Sequence, residues 1–89
     1  MSEVDELKRA LKALIVKECD KDIAPDTIAD AEQLIGGPLQ LDSLDALQIS
    51  LAVKDRYGVR IEGGSVGRRA LASVDSLAEF ILAERSAAG

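Results

Sequence analysis

The chain has 89 residues, 47% of them apolar and 30% charged, with a formal charge of −5 and a pI near 4.6. That length predicts one domain, 1–89, with a small core, because a chain of this size hides only roughly two thirds of the surface its unfolded form exposes. The net negative charge opposes phosphate backbones and anionic lipid, which argues against a nucleic-acid partner and favours a basic one.

From Ser2 to about Cys19, apolar Val4, Leu7, Leu11, Leu14 and Ile15 recur at helical spacing, preceded by Glu3, Asp5 and Glu6 and followed by Lys17. This predicts a first amphipathic helix whose charges complement its dipole. Its start, "MSEVDELKRA", is acidic where a secretory signal needs positive charge, and no run of eighteen apolar residues follows anywhere. A cytoplasmic monomer with no membrane insertion is the expectation. Cys19 stands alone, so no internal disulfide forms, and a chain with no histidine offers no usual zinc cluster. A lone cysteine near a helix end reads as a small core residue.

Residues 20–42 carry Pro25, Pro38 and the Gly36-Gly37 pair, which forbid one continuous helix. Ile23, Ile28, Leu34, Ile35, Leu39 and Leu41 are too much apolar material for a free linker. The segment is therefore expected to pack on the helices, with a helical turn after Pro25.

A second helix is expected over Ser43 to Tyr57, stopped by Gly58 as a left-handed cap. Its apolar positions fall into two opposed sets. Ala46, Ile49, Val53 and Tyr57, with Ser50 among them, form an uncharged stripe assigned to the core. Leu44, Leu47 and Leu51, interleaved with Gln48 and Asp55, form a stripe expected to face water. Single exposed leucines mean little, but a contiguous row starting at a helix N-terminus reads as a docking face.

"GVRIEGGSVG" after Gly58 alternates through Val59 and Ile61, but a lone strand beside helices finds no sheet, so a loop is expected. A short third helix then covers about Ser65 to Leu71. Ser73 or Ser76 caps a last helix to about Arg85, with Ser76 and Glu79 at capping-box spacing and Val74, Leu77, Phe80 and Ile81 facing inward. "SAAG" reads as a fraying tail, and the Arg68-Arg69 pair as solvated surface. With one Phe and one Tyr, the core is aliphatic and the fold all-α.

Ser43 carries the functional question. Either Asp42 or Ser43 can cap the second helix, with Asp45 adding charge to its first turn. A nucleophilic role needs a base, and the chain has neither histidine nor a glycine-flanked nucleophile elbow. No glycine-rich phosphate loop or metal cluster suggests an enzyme either. A third role is modification, since a helix N-terminus favours an attached phosphate.

"LDSLDALQISLAVKDRYGVRI" resembles the phosphopantetheine attachment segment of acyl carrier proteins, in which Asp-Ser-Leu is followed by an acidic residue and an amphipathic helix. The likeness extends over the whole chain in length, acidity and helix order. It implies a four-helix bundle with a long first loop and a short third helix. It implies that Ser43 is esterified by 4′-phosphopantetheine, delivered from coenzyme A by a phosphopantetheinyl transferase, so that Ser43 needs no base of its own. It further implies that acyl-loading and acyl-using enzymes of a fatty-acid, polyketide or related pathway dock over Asp42, Leu44, Asp45, Leu47, Gln48, Leu51 and Asp55. The chain departs from fatty-acid carriers at Gln48, Lys54 and Arg56, which dilute the acidic second helix, and at Gly63, Gly64, Gly67, Arg68 and Arg69, which make the third-helix region longer and more basic. Both point to a dedicated pathway. The alternatives are a peptidyl or D-alanyl carrier, or an unmodified helical adaptor docking through Leu44, Leu47 and Leu51.

Overall fold

The computed structural model describes residues 3–88, with side chains through Arg85. Of the residues discussed above, Met1, Ser2 and Gly89 lie outside the described residues.

The first helix, α1, spans Glu3–Glu18 and buries Leu7, Leu11, Leu14 and Ile15, while Val4 is half-buried. Its end is a left-handed cap on a non-glycine residue. Asp20 takes φ 53°, and the N–H groups of Asp20 and Lys21 donate back to the carbonyls of Lys17 and Val16. Those two bonds satisfy carbonyls that the last turn would leave open.

The long connection packs against the helices, as its apolar content requires. A 3₁₀ turn at Pro25–Thr27 starts at the proline, and Ile28, Leu34 and Leu41 are buried. Ile35 and Leu39 are half-buried. Ile23, expected among them, is exposed instead, because it precedes the turn that directs the chain inward. A parallel bridge pairs Ile35 with Leu41, and the Gly36 N–H donates to the Leu41 carbonyl at 3.0 Å. This reversal brings Leu41 into the core and leaves Asp42 at the entrance of the next helix.

Helix α2 spans Ser43–Tyr57 and ends at Gly58, whose φ of 70° a residue without a Cβ adopts at least cost. The following residues form no strand; Val59 is buried and Ile61 half-buried. Helix α3 covers Ser65–Ala70, one residue shorter than expected. A Cβ at Gly67 would collide with the Glu62 carbonyl oxygen, so the glycine is what allows α3 to lie directly on the preceding loop.

Helix α4 runs Val74–Ala88, so "SAA" continues the helix instead of fraying. Its capping box is Ser73 with Ser76, not Ser76 with Glu79: Ser73 Oγ accepts from the Ser76 N–H at 3.1 Å, and the Ser73 N–H donates to Ser76 Oγ at 2.9 Å. The helix starts at Val74, which puts Ser76, not Glu79, at its third position.

Helix α1 packs against both α2 and α4, and α3 packs against α4. The core they enclose is aliphatic throughout, and the two aromatic residues, Tyr57 and Phe80, lie half-buried at its margin. Two ion pairs of Lys8, to Asp75 at 2.6 Å and to Asp30 at 3.7 Å, tie α1 to the start of α4 and to the long connection. The chain is an all-α bundle of four helices with a long first connection and a short third helix.

Candidate functional site

The start of α2 decides what Ser43 does locally. Asp42 is the cap: its Oδ1 accepts from the Asp45 N–H at 3.0 Å, and its own N–H donates to Asp45 Oδ2 at 3.1 Å. The bond from the Asp45 N–H does most to hold the Asp42 carboxyl below the usual carboxylate range, and the Leu44 N–H adds to it. Ser43 is therefore the first residue inside the helix, not its cap. It is exposed, and among the described residues its hydroxyl makes no hydrogen bond.

The two stripes of α2 separate by burial. Ile49 and Val53 are fully buried at 0% exposure, whereas Leu44, Leu47 and Leu51 are 63%, 53% and 55% exposed. Ala46, Ser50 and Tyr57, expected on the core side, are only half-buried, and Ala46 and Ser50 border an open groove. The Ser50 hydroxyl turns back to the Ala46 carbonyl at 2.9 Å.

The exposed row does not form one uniform face. Leu47 lines a groove of about 430 Å³ with Ser43, Ala46 and Ser50, closed on the other side by Ile61–Gly64, Gly67, Arg68 and Leu71 and at one end by Ile35. That volume is within the range of small-molecule sites. Leu51 and Asp55 line a different groove, between α2 and α1, with Lys17 and Arg56. Leu44 and Gln48 are exposed and line neither of these grooves, and Asp45 is half-buried in the capping box. The residues proposed for docking thus lie on one side of α2 but border two separate hollows.

No family model, curated protein or solved structure matches the chain.

Reading the sequence as an isolated helix misses most of the groove. Ile35, Ile61, Glu62 and Leu71 come from other segments, and no periodicity within α2 points to them. One signal was present: Gly64, Gly67, Arg68 and Leu71 recur at helical spacing and share one face of α3. That spacing also separates the two arginines. Both are exposed, but Arg68 lines the groove shared with Ser43, whereas Arg69 lies with Val66 and Phe80 beside α4.

Cys19 is half-buried against the core, and its thiol is pushed up to about 11, first by burial and then by the field of Asp45. At neutral pH it is a protonated, packed side chain rather than a nucleophile.

Proposed function

We propose that the chain is a non-catalytic carrier that holds acyl groups on a 4′-phosphopantetheine arm attached to Ser43. The observation that carries this reading is the division of labour at the start of α2. Asp42 caps the helix, so Ser43 has no structural bond to make and presents a free, exposed hydroxyl. A serine that needs only to be reached by another enzyme fits that placement. The groove beside it is open and largely apolar, with room for the root of an attached arm.

Once attached, the arm supplies a terminal thiol that carries acyl groups as thioesters. Ser43 anchors it, and Leu44, Leu47 and Leu51 offer apolar contact to the transferase and to the enzymes that load and use the acyl group. Mixed charge along α2, from Asp42, Asp45 and Asp55 against Lys54 and Arg56, suits partners of a dedicated pathway better than a uniformly basic docking patch.

Intact mass after treatment with coenzyme A and a broad-specificity phosphopantetheinyl transferase tests the reading. One phosphopantetheine should appear on the native chain and none on Ser43→Ala. A native chain that takes up no arm, or a Ser43→Ala chain that does, sinks it. The exposed leucine row favours one second reading, an unmodified adaptor that docks through the same face. The same mass measurement separates the two, because an adaptor gains no arm.

A further inference from the structure

A phosphodiester on Ser43 would bring a negative charge into a place that already holds two. Asp42 and Asp45 flank the serine, and each carboxylate is engaged by a backbone N–H of the same turn. The helix start would ordinarily stabilise an added anion through its open N–H groups. Here the capping box has taken the donors of Asp42 and Asp45 for itself. A phosphate at Ser43 therefore gains less from the helix and meets like charge on both sides, so a counter-charge from the protein has to come from another segment.

The cations of α2 are badly placed for this. Lys54 and Arg56 lie in its last turn, and at about 1.5 Å of rise per residue they are more than a Debye length from its start. Arg68 is well placed. It lines the groove that Ser43 lines, approaching from α3. It also lines the neighbouring hollow, in both cases together with Ile35 and Leu71, so it stands on the ridge between the two. Its apolar stem has aliphatic surface to lie on, which leaves the guanidinium free. Among the described residues Arg68 makes no ion pair. Glu62, which lines the same groove, is the competing carboxylate.

We infer that Arg68 is a positioning residue for the arm's phosphodiester, holding the root of the arm along the groove between α2 and α3 instead of free in water. The inference rests on the carrier reading of Ser43. A guanidinium presents paired donors that match two phosphate oxygens, whereas an ammonium at the same place acts as a point charge. The arm thus leaves Ser43 in a preferred direction, over Leu47 and Ile61, which line the same groove. Lys21 is a second cation to compare, its field reaching Cys19 as those of Asp42 and Asp45 do, but it does not line the groove.

The test is phosphorus NMR on the intact, arm-loaded protein, native and with Arg68→Ala, Arg68→Lys, Lys21→Ala and Glu62→Gln. Intact mass first establishes that each sample carries the arm, and circular dichroism that each is folded. The phosphodiester resonance should move by more than its linewidth in Arg68→Ala, return part of the way in Arg68→Lys, and stay in place in Lys21→Ala. Added salt should carry the native resonance toward the Arg68→Ala position, and Glu62→Gln should make that movement need more salt. A resonance that is unchanged in Arg68→Ala, or that moves only in Lys21→Ala, overturns the inference while leaving the carrier intact. Absence of any arm on the native chain overturns both.

Discussion

Two of the helices begin with the same device built from different residues. At α4, Ser73 and Ser76 form the capping box, and the Ser76 hydroxyl also reaches the carbonyls of Ala70 and Ser73, each at 3.0 Å. At α2 the box is made by Asp42 and Asp45, and the serine between them takes no part. Both helix starts are satisfied, yet in one the serines are consumed by the fold and in the other a serine is spare. A serine near a helix start is therefore not by itself a sign of function. What matters is whether another side chain has already done the capping.

Removing each serine in turn should have opposite consequences at the two helix starts. Ser43→Ala should lose arm attachment completely and melt like the native chain, because alanine gives up no bond and is a good helix former. Ser73→Ala should load normally. Intact mass after transferase treatment and a thermal melt check both, and an Ser43→Ala variant with a clearly lowered Tm would mean that the hydroxyl is structural after all.

A second pair of substitutions asks whether α2 is anchored from one side only. Val53→Asp places a carboxylate where exposure is 0%, and should unfold the domain or nearly so, since the penalty is at least about several kcal/mol against a total stability of about 5–15 kcal/mol. Leu47→Asp puts the same charge at a position 53% exposed and should change folding by no more than about 0.5 kcal/mol, while slowing arm loading through lost apolar contact. Circular dichroism melts and loading rates decide the matter. Equal destabilisation by the two would show that the exposed row is held against the fold.

A smaller effect is expected at the other helix start. Ser76→Ala removes the acceptor of the Ser73 N–H and the bond to the Ala70 carbonyl in a half-buried place, costing about 1–2 kcal/mol. In a domain of this size each kcal/mol lowers Tm by roughly 4–8 °C. Arm loading should not change.

The smallest effect is a pH dependence that α4's serine box cannot have. The Asp42 carboxyl lies below its ordinary range in the folded chain because the Asp45 N–H, and then the Leu44 N–H, favour its charged form. Its contribution is complete above the unfolded aspartate pKa and is lost as pH falls through the lower folded value. Asp30 behaves likewise, held down first by its bond to Lys12 at 2.6 Å. Asp42→Asn keeps a capping oxygen and removes the titration. Denaturant unfolding across the acid range should show a shallower loss of stability for Asp42→Asn than for the native chain. An identical acid limb would assign the loss to Asp30 and other carboxylates.

Much of the fold could be read directly along the chain, because its determinants are local. The limits of α2, Ser43–Tyr57, agree with the sequence expectation, since a favoured cap stands on one side and a glycine on the other. The opposed stripes of that helix were equally legible, because about 100° per residue dictates which side chains share a face. The turn at Pro25 and the packing of Ile28, Leu34 and Leu41 followed from proline geometry and apolar content.

Long-range packing settles the choices between residues with the same local credentials, and it assembles places from distant ones. Asp42 and Ser43 are both good caps, and the chain reversal that pairs Ile35 with Leu41 settles the matter by delivering Asp42, not Ser43, to the helix entrance. Ser73, not Ser76, caps α4 because the helix starts at Val74, and the Ser76 hydroxyl, one turn in, also reaches the Ala70 carbonyl at the end of α3, a partner outside α4 itself. The groove beside Ser43 brings Ile35, Leu47, Ile61, Arg68 and Leu71 from four stretches of chain to one hollow. No period of 3.6 residues encodes such a meeting, because it depends on how the core aligns whole segments rather than on any one segment's own pattern.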